Sequence, residues 1–313
     1  MLTVTLLGTA ATLPQPDRAL SSAVFSVNGR HILLDCGEGT QLALHRQHLS
    51  PMKIDLIALT HYHGDHILGL PGLLQTMDTM GRTAPLTITG PVEWHEAILA
   101  AVLTLADELT YPVHFMPMTE AGLLLHDLCP KWPLEAVLHA FSTVHRIPSQ
   151  GYRLTLARMR RLCADQADAL GVPRSLWRRL QSGQCVTVND REITPDAVCG
   201  PVRPGLMAVF TGDTAPSESV ESAAKDADLR IMDATYADDR HADKAALYGH
   251  ATFSQTASLA ARAGVKRLWL THYSAMITDP EECLSAASAI FPVAECGVDG
   301  KRIMLTFREN DGL

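Results

Sequence analysis

The sequence has no CxxC pair, no apolar run long enough to cross a membrane, and no excess of positive charge. Its seven cysteines, Cys36, Cys129, Cys163, Cys185, Cys199, Cys283 and Cys296, are scattered and odd in number. Neither a zinc knuckle nor a disulfide framework is expected of them, and they read as reduced and structural. The longest apolar stretch, around Ala97 to Leu105, is bracketed by Glu93, Glu96, Asp107 and Glu108. It falls far short of the ~18 residues of a membrane span and reads as a helix. No basic residue precedes the apolar start MLTVTLLG, so a secretory leader of the usual form is not expected. These absences point to a soluble, cytoplasmic protein with no membrane partner. The net charge of −8 counts against a nucleic-acid partner, because phosphate binding draws on clustered Lys and Arg. Its distribution softens that objection. Between residues 153 and 179 lie seven arginines against Asp165 and Asp168, a local +5 that leaves −13 on the rest of the chain.

What is present is the material of an ordinary enzyme. The 313 residues are 47% hydrophobic and 19% charged, enough apolar surface for a core and far from the charge density of disordered chains. Length alone leaves one or two domains open. The runs LTVTLLG, AVFSV, HILLDCG and KIDLIALTH read as strands, EGTQLALHRQHL as a helix, and further helices are expected from about Gly64 to Met77 and from about Val92 to Glu108. LTITG and several runs between Val113 and Phe141 add strands. From about Leu206 a second α/β half follows, with strands LMAVFTG, LRIMDA and KRLWLTH and helices beginning near Ser217, Thr252 and Pro280. The expected architecture is one domain over residues 1–313, two half-sheets face to face with helices outside. The stretch 152–205 breaks this rhythm with an arginine-rich amphipathic piece, a Gly-Val-Pro turn and strand-like fragments around QCVTVNDREI. It reads as an insertion, and on charge alone a solvated basic face explains it as well as a binding arm does.

The segment Thr60-His61-Tyr62-His63-Gly64-Asp65-His66 packs three imidazoles and a carboxylate where a strand gives way to a helix. On a strand end His61 and His63 point to one side, and Asp65 and His66 turn back at the helix start. Neutral imidazole and carboxylate suit zinc, and a few protein ligands with room for water mark a catalytic rather than a structural site. His145 after a strand, Asp213 in FTGDT and His272 in LTHYS arrive from further strand ends, where the first loop sits.

HxHxDH is the signature of the metallo-β-lactamase superfamily. The longer strings narrow it: LLGTAATLP, LLDCGEGTQLAL, LTHYHGDHILGLPGLLQT, PSQGYRL, VFTGDT, DATY, GHAT and LTHYS stand in the order found in RNase Z, the tRNA 3′ endonuclease, which the chain resembles from Leu6 to Ser274. The resemblance implies an α/β fold of the αββα metallo-β-lactamase type with an inserted basic arm. It implies two zinc ions per subunit, with Mn or Fe as substitutes, one held by His61, His63 and His145, the other by Asp65, His66 and His272, and Asp213 bridging them. It makes Asp65 an acceptor of the attacking water's proton and His250, in GHAT, catalytic rather than a ligand. Asp233, in MDATY, becomes its acidic partner where the family usually has Glu; one methylene shorter, it is expected to reach His250 over a longer distance or through a water. The substrate is then a precursor tRNA and the protein a homodimer. In that picture Arg153, Arg158, Arg160, Arg161, Arg174, Arg178 and Arg179 of the arm hold the tRNA phosphates.

The chain departs from the family pattern in places. Val172-Pro173 continues into RSLWRRLQSG without the usual Gly-Pro-rich element, Ala275, Met276 and Ile277 stand where an Arg-Tyr pair is common, and Met232 replaces a His. The departures spare the metal residues and bear on the substrate. The alternative is a hydrolase with the same dinuclear site acting on a smaller phosphodiester or another ester. A non-catalytic RNA-binding protein is a third reading, against which the full donor set and His250 argue.

Overall fold

The computed structural model describes residues 1–106, 108–118 and 122–307. The first half begins with β1 (Leu2–Gly8), β2 (Ser22–Val27) and β3 (Arg30–Leu34), an antiparallel meander, followed by α1 (Thr40–Arg46) and β4 (Ile54–Ala58). Next come α2 (Gly64–Ile67), α3 (Leu70–Thr79), β5 (Leu86–Thr89), α4 (His95–Ala106) and β6 (Val113–Phe115), with β3 to β6 parallel. A second sheet opens with β7 (Leu123–Leu124), α5 (Leu125–Leu128), β8 (Ala136–Ser142) and β9 (Gln150–Arg158). The arm supplies α6 (Ala164–Ala169), α7 (Arg174–Gln181) and the hairpin β10 (Val186–Val188) and β11 (Arg191–Ile193). The chain then returns through β12 (Arg203–Phe210), α8 (Glu218–Ala223), β13 (Leu229–Asp233), α9 (Ala242–Tyr248), α10 (Phe253–Ala263) and β14 (Leu268–Thr271). It finishes with α11 (Ser285–Ser288), β15 (Ala294–Cys296) and β16 (Arg302–Leu305).

Each large sheet has seven strands, in the orders β16-β1-β2-β3-β4-β5-β6 and β15-β14-β13-β12-β9-β8-β7. Alternation along the strands gives each sheet two apolar faces. Val4, Leu6, Phe25, Ile32 and Leu56 of one sheet meet Leu138, Leu154, Phe210, Ile231 and Trp269 of the other in the central core. The intervening residues, such as Leu33 and Ile57, pack outward against Leu73, Leu74 and Met77 of α3. On the far side Val209, Met232 and Leu270 pack against Phe253, Ala257 and Ala260 of α10. Sandwiched sheets with a helical layer on each outer face are the expected αββα arrangement. Parallel strands place their C-terminal ends along one edge of each sheet, and the two edges meet there.

Three expectations need adjustment. The helix foreseen from Gly64 to Met77 is two helices, α2 and α3, separated at Leu68 and Gly69. A Cβ on Gly69 would sit 2.2 Å from the Gly37 carbonyl oxygen, and Pro71 fits the first turn of the new helix but not the interior of a continuous one. The helix foreseen from Val92 to Glu108 runs from His95 to Ala106; Asp107 lies outside the described residues. The inserted segment is shorter than 152–205, because Tyr152 to Arg158 belong to β9 and Arg203 to Gly205 to β12, which pair antiparallel within the second sheet. Tyr152, Leu154 and Leu156 are buried in the central core while Arg153 and Thr155 point the other way, the period of a strand. Between these strands the arm has a small core of its own, built from Ala167, Val172, Leu180, Val186, Ile193 and Val198.

Candidate metal centre

Beyond Ala58 of β4 the chain continues straight through Leu59 and Thr60 and delivers His61, His63, Asp65 and His66 into the groove between the sheets. From the second sheet His145 arrives after β8, Asp213 after β12 and His272 after β14. Gly212 takes φ +60 and packs so closely that a Cβ would lie 2.6 Å from the Thr60 side chain. Only glycine fits this turn, and it brings Asp213 over the first loop. His272 itself adopts φ +63, a conformation that costs a bulky residue energy and persists where the surroundings enforce it.

The imidazoles converge through their ring nitrogens. His63 Nδ1 lies 3.1 Å from His61 Nε2 and 3.1 Å from His145 Nε2. Asp213 Oδ1 lies 3.4 Å from His66 Nε2 and 3.1 Å from His272 Nε2, while Asp65 Oδ2 lies 3.6 and 3.5 Å from the same two nitrogens. The other carboxylate oxygen of Asp213, Oδ2, faces His61 Nε2 at 3.8 Å. Asp213 is thus the acid that faces both clusters.

The opposite edge of most rings is tied off. His145 Nδ1 donates to the Gly249 carbonyl at 2.9 Å, and His66 Nδ1 to Asp35 Oδ2 at 2.7 Å. Thr60 Oγ1 donates to Asp35 Oδ2 at 2.9 Å and so accepts from His61 Nδ1 at 3.0 Å. Thr235 Oγ1 donates to Asp233 Oδ1 at 2.8 Å and accepts from His272 Nδ1 at 3.0 Å. With the Nδ1 protons so engaged, bare Nε2 lone pairs point at one another across the groove. A proton on His63 Nδ1 can satisfy only one of its two neighbours. His66 Nε2, His272 Nε2 and Asp213 Oδ1 are buried and have no hydrogen-bond partner. Buried acceptors facing acceptors are costly unless a cation lies among them, and imidazoles oriented by hydrogen bonds on the far edge are the usual form of metal ligands. The donor set fits divalent metal ions.

At His61, His63 and His145 electrostatics agree with that fit, whereas at His66 burial is outweighed by Asp213 and Asp35, which hold it well above its ordinary value, its second proton lying where a cation would. Burial and the neighbouring rings hold His61 well below its ordinary value, and burial lowers His63 and His145 as well, which favours the neutral form a metal needs. Burial works against the Asp213 carboxylate, but His272 and His66 outweigh it and keep the acid well below its ordinary value. Asp65 follows the same balance, opposed by burial and held down by His272 and His66.

His250 stands beside the cluster, its ring 5.4 Å from that of His272. It follows α9 and precedes α10, whose start is fixed by a capping box between Thr252 and Gln255. Its Nδ1 donates directly to Asp233 Oδ2 at 2.7 Å. The longer or water-bridged contact expected of the short acid does not occur; the other oxygen of Asp233, Oδ1, accepts from the Thr235 N–H and hydroxyl at 2.9 and 2.8 Å, which fixes the carboxylate at the end of β13. Burial disfavours the charged imidazole, yet Asp233 overrides it and His250 is pushed up to about 9.

The seven arginines assigned to the arm divide into three sets. Arg153 and Arg158 lie on β9, and Arg158 sits over the Phe307 ring at 5.4 Å. Arg160 fastens the arm internally, to Gly200 and Cys199 carbonyls at 2.6 and 3.3 Å and to Asp196 at 2.7 Å. Arg161, Arg174, Arg178 and Arg179 are exposed. Sequence reasoning did not single out Asp35 or Thr235, which orient the site's imidazoles. Both stand in strings it had noted, LLDCGEGTQ and DATY, but a buried carboxylate and a hydroxyl carry no ligand spacing of their own.

A family model described as "Anti-Pycsar protein Apyc1" matches residues 2–115, a match that stops short of half the chain. The chain is 39% identical over 311 residues to "Ribonuclease Z" of Lachnoclostridium phytofermentans, covering 99% of this chain and 100% of the relative. It is 38% identical to "Ribonuclease Z" of Lachnospira eligens, covering 98% and 99%. Among solved structures, human tRNase Z, short form, is 26% identical with a TM-score of 0.66, covering 97% of this chain and 100% of that one. The metallo-β-lactamase fold protein YhfI from Bacillus subtilis, 18% identical with a TM-score of 0.68 over 96% and 98%, shares the fold. Among the described residues no helix is long and apolar enough to cross a membrane.

Proposed function

The chain belongs to the ribonuclease Z family, and from that premise we propose that it removes the 3′ trailer of precursor tRNA in the cytoplasm, leaving a 3′ hydroxyl on the tRNA and a 5′ phosphate on the trailer. It is an endoribonuclease of the metallo-β-lactamase fold. The observation that carries the finer reading is the pair of donor groups sharing Asp213, with the Asp233–His250 pair alongside.

His61, His63 and His145 would hold one divalent ion and Asp65, His66 and His272 a second, with Asp213 shared; the nitrogen-rich set favours zinc. Such ions, when bound, acidify water and neutralise charge on phosphoryl oxygens. The remaining steps belong to the chain. Asp65, oriented by the Thr12 N–H at 2.8 Å, accepts the attacking water's proton. His250, its Nδ1 committed to Asp233, presents Nε2 to the leaving 3′ oxygen and protonates it as the P–O bond breaks. Asp233 fixes the tautomer and favours the charged ring. Arg161, Arg174, Arg178 and Arg179 on the arm provide cations for tRNA phosphates away from the cut.

The test compares a 3′-extended precursor tRNA with a small bis-aryl phosphodiester, in wild type and in a variant whose arm is replaced by a short turn. Cleavage after the discriminator base by wild type, lost without the arm while the small diester is still hydrolysed, supports the reading. An untouched precursor beside a hydrolysed small diester would overturn it and leave the smaller-substrate hydrolase.

We also read the protein as a homodimer, each arm serving the partner's site. An apolar groove of about 800 Å³ between α1 and α3, rimmed by the exposed Leu42, Leu68 and Met80, offers a face for a second copy. Sedimentation equilibrium is expected to report a dimer that Leu42→Glu with Leu68→Glu converts to monomer; a wild-type monomer at all concentrations refutes this.

A further inference from the structure

Cations are scarce around the metal centre. The segment after His272 runs Tyr273, Ser274, Ala275, Met276, Ile277, with Met276 89% exposed, and the guanidinium of nearby Arg18 is buried on the Ile277 carbonyl at 2.7 Å. Two cations nevertheless stand beside His250, each over a tyrosine ring. Arg146, the residue after His145, places its guanidinium 5.1 Å from the centre of Tyr248. Lys244, on α9, places its ammonium 5.5 Å from Tyr236, whose ring is 6.4 Å from that of His250.

The backbone locks these groups to the centre. The Gly249 carbonyl accepts from His145, and at φ +71 Gly249 approaches so closely that a Cβ would lie 2.7 Å from the His145 Cα. Residues 145–146 and 248–250 are therefore clamped together, His145 and His250 turned toward the metal donors and Arg146 toward Tyr248. Tyr248 stands two residues before His250 and the Tyr236 ring lies 6.4 Å from that of His250, so both cation pairs adjoin the same histidine. Neither Arg146 nor Lys244 has a hydrogen bond or ion pair among the described residues. That is unusual here, because the chain is acidic and Asp238, Asp239 and Asp243 are close in sequence to Lys244. Asp238 is instead taken by Arg240 and Asp239 by Thr252. Arg146 also lines a cleft of about 850 Å³ that starts at His145 and continues past Ser142, Thr143, Ser149 and Gln150 to Val92, a size within the usual range for ligand sites.

We infer that Arg146 and Lys244 are positioning residues that hold backbone phosphates of an unpaired RNA strand on either side of His250, with neighbouring nucleotides lying in the cleft beyond Arg146. The inference rests on the ribonuclease reading above. A guanidinium pinned on an aromatic face keeps its N–H edge aimed outward with little rotamer freedom left to lose, and two unpaired cations fix the strand where the acid must meet a 3′ oxygen.

The experiment uses the metal-loaded full chain, with Arg146→Gln, Lys244→Gln, the double variant and Arg146→Lys. It measures kcat/KM for precursor tRNA and for the bis-aryl diester over a range of salt, and binding of an uncleavable, unstructured oligoribonucleotide by fluorescence anisotropy. Each Gln variant should lower the RNA-to-diester ratio of kcat/KM about tenfold, equivalent to roughly 1.4 kcal/mol. Each should also reduce the slope of log binding constant against log salt by about 0.7, one single-strand phosphate contact. Arg146→Lys should restore the slope but only part of the ratio. Equal losses on both substrates, or an unchanged slope, overturn the proposal. If wild type hydrolyses the diester but not the tRNA, the ribonuclease reading has failed, and the oligonucleotide slopes decide this one separately: unchanged slopes overturn it, reduced ones uphold it for other single strands.

Discussion

Asp213→Ala is expected to reduce phosphodiester hydrolysis by at least about 10⁴-fold and to leave the purified protein short of its full metal content. The size follows from what a bound divalent ion would do to water, lowering its pKa from far above neutrality to about 7, an advantage lost with the ion. Asp213 is singled out because its two oxygens face different clusters, Oδ2 toward His61 and Oδ1 toward His66 and His272. Among the described residues no other carboxylate has that placement. Its loss also removes the one carboxylate, among the described residues, placed against His61, His66 and His272 together. Metal analysis beside kinetics provides the check, with Asp35→Asn as the comparator. The Asp35 carboxylate accepts from Thr60 and His66, so its replacement should cost about 10- to 100-fold, the usual effect of a group that orients a ligand. If Asp213→Ala keeps its metal and more than a tenth of wild-type rate, the shared-donor arrangement is wrong.

His250→Ala is expected to have the second largest effect, roughly 10²- to 10⁴-fold in kcat on RNA, with metal content unchanged. The ring is placed to supply a proton, and a 3′ alkoxide needs one badly. A nitrophenolate does not. The loss should therefore shrink as the leaving group of a model diester becomes more acidic, and Asp233→Asn, acting through the 2.7 Å contact, should follow the same trend at smaller size. A loss independent of leaving group would assign His250 a role in binding or folding instead.

Much of this arrangement is legible in the chain because its chemistry is local. His61, His63, Asp65 and His66 fall within six residues, and strand-end glycines and threonines mark where His145, Asp213 and His272 must emerge. The outer helices and most strands announce themselves by periodicity. β9 does not, since GYRLTLAR carries two arginines and its alternation passes for part of a basic insertion; only pairing with β8 and β12 reveals it. The break at Gly69 depends on a contact with Gly37, more than 30 residues away, and no window around position 69 contains that information. The same holds for Asp35 and Thr235. Which oxygen of Asp213 faces which cluster, and that Asp233 reaches His250 unaided, are matters of ångströms set by packing.

β9 and β12 are antiparallel neighbours, so the chain leaves the sheet and re-enters it about one strand spacing away, ~4.8 Å. Topologically the entire arm is an overgrown hairpin loop, and the entropy of closing such a loop rises only slowly with its length. The catalytic body is thus indifferent to what is spliced there. Arms of other sizes and charges could be exchanged at this joint like tools on a common handle, retargeting one hydrolytic centre to differently shaped substrates without redesigning it.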